Sequence, residues 1–178
     1  MNLIYSIIMM FIGSFLIQYY IMSRIMTNIK ENITKSRGKI YMSLIMASLM
    51  CLLEIFMNDI YNFMFSWYYY LFFFILLATL IIMYKKQLFI DDKNYLEEMI
   101  EHHSMALLTS GEIVGRTTDD KVKLLATNII KTQEQEIEQM KLLLVRKEKD
   151  YKDEINEKKF LTVDDIQSSF YKKELKKD

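Results

Sequence analysis

Two adjacent histidines, His102 and His103, are the only imidazoles in this chain. Any proton relay or nitrogen ligation of a metal must therefore happen in the run Met99-Ile-Glu-His-His-Ser-Met-Ala-Leu-Leu. Successive side chains on a helix point about 100° apart, so the two rings cannot both enter one closed site. A lone cysteine, Cys51, rules out an internal disulfide framework and a thiolate cluster of the structural zinc kind. Soft donors must then be thioethers, and the chain has 14 methionines. No catalytic constellation accompanies them: there is no glycine-rich phosphate loop and no serine or cysteine nucleophile beside a base. Glu98 and His102, four apart, share a helix face but form only half of a di-iron pattern, so the expectation is a protein that is not an enzyme.

Charge shows what must position these residues. The 178 residues balance 23 basic against 23 acidic groups, yet only eight charges fall between Met1 and Tyr84, while the rest of the chain is densely charged and nearly neutral. A nearly neutral charged half argues against a nucleic-acid partner. The absence of proline and a count of four glycines favour long helices over turn-rich sheets.

Three apolar runs reach the roughly 20 residues that cross a bilayer as a helix. They predict a membrane domain over residues 1–86, with spans near 3–22, 40–57 and 64–84 and the lipid bilayer as partner. The first run has no basic leader region or small-residue cleavage site, so it reads as a retained helix. The connection from Ser23 to Lys39 carries five basic residues and one acidic, whereas that from Asn58 to Phe63 carries only Asp59. By the positive-inside rule the N-terminus lies outside and the polar C-terminal half is cytoplasmic.

Within the second run Met42, Met46, Met50 and Met57 fall in an arc of about 80°. Such a row is either a thioether track for Cu(I) or methionine packing against neighbouring helices. Glu54 is the ionisable group well inside a span; with Met50 and Met57 it forms an intramembrane candidate, or it snorkels to water from within one turn of the outer end. Ser14 and Gln18 are placed to bond to a neighbouring helix.

Residues 90–147 read as a helical hairpin. Leu96, Met99, Ile100, His103, Ala106, Leu107, Ser110, Ile113 and Val114 mark one amphipathic helix, which Gly115 can end. After Thr117-Thr-Asp-Asp, Val122, Leu125, Ala126, Ile129, Ile130, Gln133, Ile137, Met140 and Leu144 mark the next. A tight antiparallel turn near Arg116 would set His103 beside Ile130 and Gln133, and Met99 beside Gln133 and Glu134, with Glu136 one turn beyond. This layer is either a histidine bonded to Gln133 that fixes register, or a metal site built from His103 or His102, Met99 or Met140, and Glu136. Residues 148–178 read as a charged tail in which Thr162-Val-Asp-Asp caps a short helix bearing Val163, Ile166 and Phe170.

The pattern Met99-Ile100-x-His102-His103-x-x-Ala106, followed by Leu125-Ala126-x-x-Ile129-Ile130-x-x-Gln133-x-x-Glu136-Ile137-x-x-Met140, resembles the family called domain of unknown function 305. The resemblance spans Asp92 to Leu144, and Tyr41-Met42-x-x-x-Met46-x-x-x-Met50 is similar to the second span of its membrane-anchored members. It implies an all-α fold: three transmembrane helices, then a ferritin-like antiparallel hairpin that is half of a four-helix bundle, then the charged helical tail. It also implies metal ligands at Met99, His102, His103 and Met140, with Gln133 and Glu136 as polar partners and copper as the metal. Many relatives carry a methionine where this chain has Thr109; Met105 lies on the neighbouring face. A two-helix hairpin buries little by itself, so it is expected to pair with a second copy as a homo-oligomer or to recruit its own tail. Two functions follow from the sequence: soft-metal sequestration or delivery, and a metal-free structural or oligomerisation module.

Overall fold

The computed structural model describes residues 2–27 and 29–174, with side chains placed through residue 153. Among these residues all regular structure is helical. Five long helices follow in order: α1 (Leu3–Met26), α2 (Arg37–Asn62), α3 (Trp67–Lys85), α4 (Asp92–Arg116) and α5 (Asp120–Glu174). The chain divides into two compact units, Met1–Met140 and Lys141–Asp178.

Helices α1, α2 and α3 are long and apolar enough to cross a membrane. The first runs four residues past its predicted end, the second overruns its stretch at both ends, and the third starts three residues late and ends one late. Asn2 Oδ1 accepts from the Ile4 N–H and starts α1; Ser36 Oγ accepts from the Lys39 N–H and starts α2. At the far end of α2, Phe63 turns left-handed, and the Asp59 carboxylate takes both the Ser66 N–H and the Ser66 hydroxyl, each at 2.7 Å. That closed loop leaves residues 64–66 outside any helix.

The three helices pack through small residues. Ser43, Ala47, Ser48 and Cys51 of α2 are fully buried, so neighbouring backbones approach closely. The two serine hydroxyls turn back to carbonyls of their own helix, and Cys51 Sγ donates to the Ile7 carbonyl of α1 at 3.5 Å. Ile7, Cys51, Ile55 and Phe73 form the centre of this packing. Ser6 of α1 donates to the half-buried Glu54, so one of its oxygens is held by a neighbouring helix. Met42, Met46 and Met57 lie on exposed surface and Met50 is half-buried, so the methionine row does not line an interior path along α2.

From Ile17 to Met22 helix α1 winds as a π-helix. The Ser23–Lys39 connection then makes a short 3₁₀ turn at Lys30–Asn32 and an extended stretch to Ser36. Asp91 caps α4 by accepting from the Asn94 N–H at 2.8 Å. Helix α4 ends where Thr117 turns extended, and Gly115 stays at negative φ, so the stop is a β-region cap rather than a glycine cap. Asp119 Oδ1 accepts from the N–H groups of Lys121 and Val122 and begins α5.

Helix α5 runs on to Glu174 through residue 148, where the charged tail is expected to begin, and the Thr162-Val-Asp-Asp run, expected to cap a short helix, lies within it. No glycine or proline follows Gly115 to interrupt the winding. The expected face of Val163, Ile166 and Phe170 lies outside the described side chains. In the Lys141–Asp178 unit Arg146 pairs weakly with Asp150 at 3.9 Å, one turn apart.

Candidate functional site

Helix α4 presents two faces, and the adjacent histidines divide between them. One face is seated on the connection between α1 and α2. Thr34 Oγ1 donates to the Glu97 carbonyl at 2.8 Å, and both its N–H and its hydroxyl reach Glu101 Oε2 at 3.2 Å. Lys39 Nζ lies 3.3 Å from Glu101 Oε1, with both side chains largely out of water. Ser104, fully buried, meets the Thr27 hydroxyl and accepts from Asn32 Nδ2 at 3.1 Å.

The seat extends to the ends of α2 and α3. Asn94 Oδ1 accepts from the Arg37 N–H, Arg37 Nη1 donates to the Phe89 carbonyl, and the Tyr41 hydroxyl donates to the Leu88 carbonyl. Tyr84 donates to Glu98 Oε1 at 3.0 Å, and the other oxygen of Glu98 is buried without a hydrogen-bond partner. Asp91 is held below the usual carboxylate range by the backbone and side-chain hydrogen bonds of Asn94.

Sequence reasoning read the Ser23–Lys39 connection only for its charge and missed it as a binding surface. Two signals were present. The connection is longer than a tight turn needs, and Ser104 and Glu101 adjoin the apolar stripe of α4.

The second face carries His103. Its side chain is 14% exposed, and Nδ1 sits 3.3 Å from Glu136 Oε2 of α5, within ion-pair range but not aligned as a hydrogen bond. Burial pushes the imidazole below its ordinary pKa; Glu136 opposes that shift and His102 adds to it. Gln133 Oε1 is likewise buried without a hydrogen-bond partner.

His103 thus meets Glu136, one turn further along α5 than the expected level at Ile130 and Gln133. The reason is the linker: the connection is Thr117–Asp119, not a tight turn at Arg116, and this moves the facing register. Met99 lies one turn before His103 and Met140 one turn after Glu136; Met140 is buried and Met99 half-buried. The Val122 and Leu125 end of the predicted α5 stripe is exposed, whereas Ala126, Ile137 and Met140 are buried.

His102 points elsewhere. Its ring centroid is 6.0 Å from that of His103 with the planes inclined at 54°, and it borders a cavity between α4 and the ends of α1 and α2. Of the sequence-predicted ligands, His103 and Glu136 come together, Gln133, Met99 and Met140 lie within one turn of them, and His102 is on the other side. Glu54, Met50 and Met57 belong to the opposite half of α2. Among the described residues, no three His, Cys, Asp or Glu side chains are grouped to hold a metal ion.

Comparison with known families points to the part of the chain that holds α4 and much of α5. The family described as Domain of unknown function (DUF305) matches residues 92–167, from the first residue of α4 well into α5. A relative in Acanthamoeba polyphaga mimivirus, Uncharacterized protein L153, is 53% identical over 60 residues, which are 34% of this chain and 40% of the relative. The chain thus spans well under half the length of that curated relative. No solved structure matches.

Proposed function

We propose that this chain is a multi-pass membrane protein whose α4–α5 pair is an antiparallel hairpin that binds copper for sequestration or delivery. The observation that carries the reading is a pair of buried polar atoms without hydrogen-bond partners, His103 Nδ1, 3.3 Å from the Glu136 carboxylate, and Gln133 Oε1, one turn before Glu136 on α5. Buried polar atoms are ordinarily satisfied, and a coordinated ion is one way to satisfy them. The donors fit copper: a neutral imidazole, favoured by the depressed His103 pKa, a carboxylate, and thioethers from Met99 and Met140 on the adjoining turn. Bound there, copper would be held for storage or hand-over, and the chain's part is to orient the imidazole and limit access by water.

The basic Ser23–Lys39 connection supports a cytoplasmic α4–α5 hairpin and an outside N-terminus. Exposed Leu124 and Leu125 on α5 offer apolar surface to a second copy, which would bring the hairpin toward a four-helix, ferritin-like bundle. The seat beneath α4 already covers one side of the hairpin, so a second copy is needed less than in a free two-helix unit.

Copper titration of the full chain in detergent, read by calorimetry, tests this function. His103→Ala and Glu136→Gln are expected to weaken binding by at least about tenfold, since even groups behind the ligands typically matter by 10- to 100-fold. Affinity unchanged in His103→Ala would sink the assignment. Absence of binding in the native chain would favour the second reading, a metal-free module whose His103–Glu136 contact sets helix register.

A further inference from the structure

Beside His102 lies a cavity of about 230 Å³, walled by the ends of α1 and α2 that adjoin the connection, by α3 and by α4. Its lining includes four thioethers from three helices: Met22 and Met26 of α1, Met42 of α2, and Met105 of α4, together with the His102 imidazole. Methionine usually fills space in a core. Here the four border an opening instead, and none is fully buried: Met26 and Met42 count among the exposed residues, Met22 and Met105 are half-buried.

Of the two carboxylates on the same wall, one is fully engaged and the other half so. Glu101 is paired with Lys39 and bonded by Thr34. Glu98 accepts from Tyr84, and its second oxygen is turned against Gly38, where a Cβ would come within 1.7 Å of it. Four thioethers and one imidazole outnumber the oxygens that stay without a partner, chiefly Glu98 Oε2, and a set this rich in sulfur prefers soft monovalent ions to Mg²⁺, Ca²⁺ or Zn²⁺.

Independent support comes from the backbone of α1. Its π-helical stretch, Ile17–Met22, ends at the first of these methionines, and Gln18 at its start lines the same cavity. A π-turn is rare, and such bulges occur frequently at functional sites. Gln18 and Met22 lie in this stretch and Met26 one turn beyond it, and all three line the cavity.

We propose that this cavity binds a soft d¹⁰ monovalent cation, Cu(I) or Ag(I), through Met22, Met26, Met42, Met105 and His102, as a site separate from the His103–Glu136 level. The two sites stand back to back on α4, each taking one of the adjacent histidines. No electron transfer is involved; the ion enters and leaves in one oxidation state.

The test uses the full chain in detergent, titrated with Cu(I) kept reduced under a chromophoric chelator competitor, and with Ag(I) separately. Met→Leu changes at positions 22, 26, 42 and 105 conserve volume, so the fold is expected to persist, which circular dichroism checks. The quadruple leucine variant is expected to bind at least about 100-fold more weakly, beyond what losing a supporting group alone does. His103→Ala and Glu136→Gln are expected to leave this binding within about twofold, and copper-edge absorption of His103→Ala to show mainly sulfur neighbours. Retained affinity in the leucine variant, or a nitrogen and oxygen shell without sulfur, overturns the cavity site. Loss of all Cu(I) binding in His103→Ala overturns it too while upholding the hairpin site; loss in the leucine variant alone does the reverse.

Discussion

Gly38→Ala probes the seat of α4 directly. Gly38 stands in the first turn of α2, and a Cβ placed there would lie 1.7 Å from Glu98 Oε2, 2.2 Å from Cδ and 2.6 Å from Oε1. The carboxylate must move, and moving it gives up the Tyr84 hydroxyl at 3.0 Å. A hydrogen bond to a charged group contributes about 1.5–3 kcal/mol, while replacing glycine by alanine in a helix returns up to about 1 kcal/mol. The substitution should therefore destabilise by about 1–2 kcal/mol. For a chain of this size that is a drop in Tm of about 2–8 °C.

In a Glu98→Ala background the obstruction is absent, and the same glycine change should be neutral or slightly stabilising. Thermal unfolding of the four proteins of this cycle in detergent reads the difference as a coupling between positions 38 and 98. Equal effects of Gly38→Ala in both backgrounds would refute the contact, and with it the idea that α4 is held against α2 through Glu98.

Lys39→Met removes one partner of a largely buried ion pair, and the Glu101 charge keeps only its Thr34 bonds, so a loss near the low end of the range for such pairs, about 3 kcal/mol, is expected. Hydrogen exchange should then speed up through the α4 amides before those of α1 to α3, and uniform exchange would contradict a local seat. Stability should fall as pH drops: the unfolded His103 takes up a proton near its ordinary value of 6.5 while the folded one resists until lower pH, so the unfolded state gains protons first. His103→Gln should flatten the Tm profile between pH 8 and 5.5, and a native Tm that rises toward pH 5.5 would invert the sign argued here. For orientation, Cys51 is buried and unreactive by position, so Lys149→Cys reports alone. A membrane-impermeant maleimide added outside should not label it, and labelling would place α5 on the outer side.

Much of the fold was legible because its signals are local. Three apolar runs, absent proline and the two amphipathic stripes each follow from residues within one element, so α1 to α5 were foreseeable and their ends were not. Ends depend on single caps such as Ser36 and on the Asp59 carboxylate that ties down Ser66. The register of α4 against α5 slipped one turn because it hangs on the linker, where a shift of a residue or two in the turn moves every facing pair. The seat of α4 was hidden for a different reason. Thr34, Lys39, Glu101 and Ser104 are ordinary polar residues in sequence, and only contacts across some 60 to 70 positions give them a joint role.

The angle between successive helical side chains turns one motif into two neighbourhoods. His102 and His103 differ by a rotation of about 100°. In a helix with one buried face, one of them would look into solvent. Helix α4 is met on two sides, by α5 at Glu136 and by Thr34, Asn32 and Lys39, yet the two rings differ: His103 is largely covered, while His102 stays exposed at the rim of the cavity. A disturbance at Glu136 therefore reaches the cavity only by moving α4 as a body against a seat built from several hydrogen bonds and a buried ion pair. That rigidity makes the two faces separable by mutation. It also makes the helix itself, rather than any chain of side chains, the element through which occupancy of one face would be felt at the other.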